Sequence, residues 1–212
     1  MGATQGEKGD RFRALHEGPG AFVIANAWDA GSARTLAAVG FSALATSSGA
    51  AAAVLGRRDG ELTRDEALAA ARAIVTASAL PVSADLENGY GASPEVVAET
   101  IRLAGAAGLV GGSIDDSTGD PERPVFAFDF AVERVAAAVT AARSLPFAFT
   151  LTARAENFLR GNPDLGDTIR RLQAFAEVGA DVLFAPCLPD LAAVRAVCEA
   201  VSKPVNFMVG IR

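Results

Sequence analysis

Apolar runs of four to seven residues alternate along the chain with longer amphipathic, alanine-rich stretches. This is the pattern of successive parallel βα units. The runs predict strands at residues 21–25, 43–46, 81–85, 109–114, 146–152, 181–185 and 204–209. Three of them open on proline (Pro81, Pro146, Pro204), which loses no needed ladder bond at a strand's first residue. Helices are predicted at 31–39, 63–77, 93–107, 129–142, 167–178 and 188–201. Thr63 and Glu66 have capping-box spacing, and Ser93-Pro94 places proline at a first helical position. Gly40, Gly108 and Gly179 stand where left-handed stops end such helices.

Seven strands in this rhythm predict an α/β fold of the (β/α)8 TIM-barrel type or an open doubly wound sheet. No GxGxxG follows the first strand and no GxxxxGK[ST] occurs, which favours the barrel. Residues 1–9 are expected to be flexible and 10–212 to form one domain. The chain stops at Gly210-Ile211-Arg212, so the eighth strand and C-terminal helices of a closed barrel are expected to be missing from it.

Composition narrows the function. Half of the 212 residues are hydrophobic, enough for a sizeable core. The formal charge of −6 and the lack of a Lys/Arg cluster argue against a nucleic-acid partner. An acidic chain that binds an anionic metabolite needs a metal or a buried arginine. Cys187 and Cys198 have neither disulfide nor zinc spacing. The polar N-terminus and the shortness of every apolar run predict a cytoplasmic protein with no membrane partner.

In a β/α barrel the reactive groups sit at the carboxyl ends of the strands. Here those ends read Asn26-Ala27-Trp28-Asp29, Ser47-Ser48-Gly49, Asp85-Leu86-Glu87-Asn88, Asp115-Asp116-Ser117, Arg154-Ala155-Glu156-Asn157 and Pro186-Cys187. Asp85 and Glu87, two apart on an extended backbone, are expected to point the same way, with Asp115 on the adjacent strand. Clustered carboxylates without His or Cys suit a hard dication bound through oxygen. The alternative is helix capping, open above all to Asp29 and Asp116. Ser47-Ser48-Gly49 reads as an anion nest or a simple turn. Arg154 reads as a substrate-carboxylate fork or an ion pair with Glu156 or another strand-end acid. His16, the only histidine, is expected on the surface, and Trp28 beneath the first loop with one face toward the pocket.

Taken in order, NAWDAGSA (26–33), TSSG (46–49), LGRRDG (55–60), LTRDE (62–66), PVSADLENGYG (81–91), DDSTGD (115–120) and TARAE (152–156) resemble the isocitrate lyase/phosphoenolpyruvate mutase superfamily. The resemblance implies an α/β barrel, Mg²⁺ (Mn²⁺ as the alternative), a small 2-oxo or dicarboxylic acid substrate, and a homodimer or homotetramer. It implies Asp85 as the main metal ligand. Glu87 stands where the family often has Asp, and Asp115 where it usually has Glu. It further implies substrate contacts from Trp28, Ser47, Ser48, Gly49 and Asp85, and catalytic positions at Asp59 and Arg154.

The loop after the fourth strand reads STGDPERPVFA and lacks the Lys, Cys and His with which lyases of this family work. The expected activity is therefore a Mg-dependent carbon–carbon lyase that passes through an enolate and resembles an oxaloacetate decarboxylase. The alternatives are a P–C bond enzyme acting on phosphonopyruvate or phosphoenolpyruvate, a methylisocitrate-type lyase, or a non-catalytic truncated barrel.

Overall fold

In the computed structural model, which describes residues 2–209, all seven strands form one parallel sheet in sequence order. They are β1 (Ala25–Asn26), β2 (Leu44–Ala45), β3 (Val82–Asp85), β4 (Gly111–Asp115), β5 (Thr150–Arg154), β6 (Val182–Phe184) and β7 (Val205–Asn206). Helices α2 (Ala30–Val39), α4 (Arg64–Ala77), α5 (Pro94–Ala106), α6 (Phe128–Arg143), α7 (Leu165–Glu177) and α8 (Leu191–Ala200) make the crossovers. The sheet curls into a barrel-like α/β fold. Among the described residues β1 pairs only with β2 and β7 only with β6, so no ladder joins the two edges. No helix among these residues is long and apolar enough to cross a membrane.

One core lies between β2–β5 and the helices α4, α5 and α6, centred on fully buried Leu44, Ile101, Leu109 and Leu151. Another, around Phe175, Leu172 and Leu183, joins α6, α7 and β6. Each such side chain contributes roughly 1.5–3 kcal/mol by leaving water. The small residues of β4 let the layers approach. A Cβ on Gly111 would stand 2.7 Å from Phe12 Cε1 and 3.0 Å from the Thr150 carbonyl oxygen.

Residues 5–9 are helical. Helix α1 (Gln5–Glu17) starts there, with Thr4 and Glu7 forming a reciprocal capping box. Gln5 Nε2 donates to the carbonyls of Gly105 and Leu109, and Phe12 packs with Ala43, Val110, Phe22 and Ile24 under the strand starts. His16 is not a free surface residue. Its ring lies edge-on between Phe12 and Phe22, with centroids 4.7 and 4.9 Å away, and burial lowers its pKa.

Every ladder begins later than its apolar run, β1 and β5 by the most. Phe22 and Ile24 pack on α1, so the β1 ladder starts at Ala25. Phe147 and Phe149 join the helix-side core, so β5 starts at Thr150 and Arg154 belongs to the strand. The sequence pattern also misses α3 (Ser48–Val54), in which the alanine run after Ser47 turns into a short helix.

Candidate active site at the strand ends

The β3 terminus brings Asp85 to the centre of the strand ends. Its backbone N–H donates to Thr46 Oγ1 (3.0 Å), which ties the end of β3 to that of β2. Its carboxylate is nearly buried. Oδ2 accepts from Ser48 Oγ (3.1 Å) and the Ser48 N–H (3.4 Å). Oδ1 accepts from the Glu87 N–H (3.2 Å), Ser113 Oγ (3.5 Å) and Arg154 Nη1 (3.2 Å).

Glu87 does not continue the strand. The chain turns at Leu86, and Glu87 (φ +49°), Gly89 (φ +82°) and Tyr90 (φ +62°) all adopt left-handed backbone. The two-residue alternation that aligned Glu87 with Asp85 therefore does not apply, yet the turn still brings the two charges close. Burial, with the charges of Asp85, Asp59 and Asp115, pushes the Glu87 carboxyl up to about 7. Glu87 Oε1 and Tyr90 Oη are both buried without a hydrogen-bond partner. Burial raises the Tyr90 pKa further, which keeps its proton in place.

Asp115 ends β4 in full burial and accepts from the Ser117 N–H (2.9 Å); burial raises its pKa despite the Arg154 charge. Asp116 caps no helix. It accepts from the Glu156 N–H (2.8 Å) and from Arg171 Nη1 (3.0 Å), and burial lifts it to about 6. Asp29 does cap: its Oδ1 accepts from the Ser32 N–H at the start of α2.

Arg154 bridges the β3 and β5 ends. Nη1 reaches Asp85 Oδ1, while Nε (3.1 Å) and Nη2 (2.8 Å) both donate to Glu156 Oε1. The guanidinium carbon lies 5.0 Å from the centre of the Phe184 ring. The flanking carboxylates hold its pKa above the ordinary arginine value. Glu156 is fully buried, and burial pushes it up to about 7 even with Arg154 and Arg160 beside it.

Ser47-Ser48-Gly49 is not a plain turn but the start of α3. Ser47 Oγ accepts from the Ala50 N–H, and Ser48 faces Asp85. A Cβ on Gly49 would stand 3.3 Å from Asp59 Cγ, so glycine leaves room for that carboxylate. Asp59 itself is exposed. Trp28 is half exposed beyond β1, with its backbone N–H donating to Ser32 Oγ. The loop after β4 is a hairpin. Ser117 bridges Val125, the Phe126 N–H donates to the Asp116 carbonyl, and the Thr118 N–H donates to the Pro124 carbonyl.

Three participants escaped the sequence reading: Tyr90, Arg134 and Arg171. Tyr90 lies inside the DLENGYG motif, which is its signal in the sequence. Arg134 and Arg171 lie on helical stretches whose charges look like ordinary solvated faces, and no sequence signal marks them as buried.

The family model for phosphoenolpyruvate phosphomutase matches residues 12–212. The chain belongs to this family. The phosphoenolpyruvate phosphomutase family member described here superposes on the crystal structure of a proposed lyase/mutase from Burkholderia cenocepacia J2315 with a TM-score of 0.96 and 55% identity. That match covers 98% of this chain and 74% of the other. The family member is 32% identical to the oxaloacetate decarboxylase of Bradyrhizobium diazoefficiens, over 92% of this chain and 69% of that protein. It is 31% identical to the 2-methylisocitrate lyase of Escherichia coli K12, over 93% of this chain and 68% of that protein. These relatives are enzymes of the phosphoenolpyruvate mutase/isocitrate lyase superfamily.

The donor set of this family member suits a hard cation of modest protein coordination. No three carboxylates among the described residues converge into a ready cage. Mg²⁺ asks for less, since it commonly keeps several waters and takes one or two carboxylates with the substrate. The unpartnered Glu87 Oε1 and the mutual repulsion of Glu87, Asp85, Asp59 and Asp115 are what such an ion would relieve. Surface recesses of about 710 and 350 Å³ lie beside α1 and between α5 and α6, and no strand-end residue lines either.

Proposed function

We propose that this protein is a Mg²⁺-dependent carbon–carbon lyase for a small 2-oxo acid, with oxaloacetate decarboxylation as the favoured reaction. The observation that carries this reading is the bridge of Arg154 from Glu156 to Asp85 inside a carboxylate cluster at the strand ends. When bound, Mg²⁺ would supply positive charge where the 2-oxo oxygen becomes negative. Asp85 and Glu87 would hold the ion, with Asp115 behind them. Arg154 would offer the substrate's charged end the N–H groups that Asp85 and Glu156 leave over, and Ser48 and the backbone at Gly49 would receive a carboxylate oxygen. Trp28 and Asp59 would border the substrate.

In the favoured reaction the C3–C4 bond of oxaloacetate breaks and CO₂ departs. Its electron pair remains as the enolate of pyruvate, which takes a proton from water at C3. This demands no acid from the loop after β4, in keeping with a hairpin that lacks Lys, Cys and His between Ser117 and Phe126.

A second reading rests on Tyr90. Retro-aldol cleavage of a methylisocitrate-type 2-hydroxy acid needs a carboxylate to take the hydroxyl proton as the C–C bond breaks and a group that protonates the departing carbanion. A buried, protonated and unpartnered phenol beside Glu87 could serve.

The test is pyruvate release from oxaloacetate with Mg²⁺ and with EDTA, alongside phosphonopyruvate and a methylisocitrate-type acid. Equal oxaloacetate rates in Mg²⁺ and EDTA would reject the first reading. Cleavage of the hydroxy acid that disappears in Tyr90→Phe would select the second.

A further inference from the structure

Arg134, midway along α6, is 1% exposed and has no carboxylate partner among the described residues. A buried guanidinium is costly unless its donors are satisfied. Here Nε is left without a partner, and the two terminal nitrogens are spent on the carbonyls of a single turn. Nη1 donates to Gly91 (2.8 Å) and Ala92, and Nη2 donates to Asn88. The Phe126 ring lies 4.1 Å below the guanidinium carbon, on the segment that closes the hairpin after β4. Asn88 Nδ2 adds a direct link to that hairpin through the Ser117 carbonyl (3.1 Å).

The turn needs such a hold. Glu87 and Tyr90 are L-residues in left-handed backbone, a conformation that persists only where its surroundings over-determine it. Local bonds fix part of it. The Gly89 N–H donates to the Leu86 carbonyl, the Tyr90 N–H to Asn88 Oδ1, and Thr100 Oγ1 to the Gly89 carbonyl. The carbonyls of Asn88, Gly91 and Ala92 are left to Arg134.

We infer that Arg134 is a positioning residue: it clamps the 86–92 turn in its left-handed form so that the Glu87 carboxylate faces Asp85, and it locks that turn to the hairpin after β4. The consequence for the ion rests on the proposed reading of Asp85 and Glu87 as its seat. A lysine cannot replace this arginine, because one ammonium cannot span three carbonyls in a planar fork.

The test compares Arg134→Met and Arg134→Lys with Arg143→Met, which alters the last residue of α6, an arginine paired with Asp181. Hydrogen exchange should quicken about tenfold or more at residues 86–92 and 117–118 in Arg134→Met, while Val82–Asp85 and α5 keep their protection. The Mg²⁺ dissociation constant from calorimetry should rise about tenfold, as for loss of a supporting partner of a metal ligand. Arg134→Lys should show the same pattern in smaller measure, and it serves alone if Arg134→Met does not fold. Arg143→Met should change neither readout, whatever it does to the melting temperature. Unchanged exchange in the turn, exchange raised evenly over β3, β4 and α5, or a loosened turn with Mg²⁺ affinity intact would each overturn the inference. If the unaltered protein binds no Mg²⁺, the metal reading falls, and the exchange pattern alone decides whether Arg134 holds the turn.

Discussion

Arg154 Nη1 stands 3.2 Å from Asp85 Oδ1 while the other edge of the same guanidinium is taken up by Glu156 Oε1. One cation thus holds together two acids from different strand ends, with Asp115 close behind. Its removal leaves buried carboxylates facing one another. We expect Arg154→Met to lose about 3 kcal/mol at pH 8 in urea unfolding. The loss should shrink near pH 5, where Glu156 can take up a proton.

Asp85→Asn keeps the shape and most of the hydrogen bonds of the residue it replaces but removes its charge. Activity on the accepted 2-oxo acid should fall at least about 100-fold, the scale for deleting one preorganised electrostatic group. Steady-state kinetics across a Mg²⁺ titration measure it, and circular dichroism should show the fold unchanged.

The pH dependence of stability follows from the raised carboxyls. Glu87 binds its proton up to about 7 in the folded protein, against 4.5 as its ordinary value. Between those pH values the folded state holds more protons than the unfolded one, so stability declines as pH rises. The favourable contribution is complete below about 4.5 and gone above about 7. In EDTA, Glu87→Gln should therefore raise the melting temperature at pH 8 more than at pH 5, as read by scanning calorimetry.

Gly49→Ala separates stability from activity. Alanine favours the short α3 helix by about 1 kcal/mol over glycine. Its methyl, 3.3 Å from Asp59 Cγ, must push that exposed side chain back by a few tenths of an ångström. Melting should hold or improve, while KM for the 2-oxo acid should rise several-fold.

Gly9→Ala should show the opposite balance. Helix propensity again favours alanine, but the new Cβ would sit 2.3 Å from the Ala148 carbonyl oxygen, which is backbone and cannot swing away. Helix α1 must lift, and Phe12 loses contact with the barrel. We expect a net loss of about 1–3 kcal/mol, measured by chemical denaturation, with KM little changed.

Much of this architecture was legible in the sequence because βα repetition fixes the order of strands and helices, and strand ends fix where chemistry can sit. Asp85, Ser48, Asp115 and Arg154 do meet there. What misled were places where one local rule yielded to another. The AFVIA run looked like strand throughout, but half of it packs on α1. Strict alternation was carried past Asp85, whereas the chain turns left-handed at Glu87. Asp116 looked like a helix cap because capping is a local pattern, while its true partner, Arg171, lies 55 residues away. No apolar run marks residues 5–9, yet Thr4 and Glu7 cap a helix there and Gln5 docks on α5.

The hairpin after β4 is pinned at both feet, by the Ser117–Val125 bridge and the Phe126 N–H to Asp116 carbonyl bond, while its tip near Gly119 is solvent-facing. Anchored feet and a free tip make the segment an interchangeable module. A longer loop spliced between Thr118 and Pro124 would inherit the same base, so new reactive groups could be trialled above the carboxylates without redesigning the barrel beneath them.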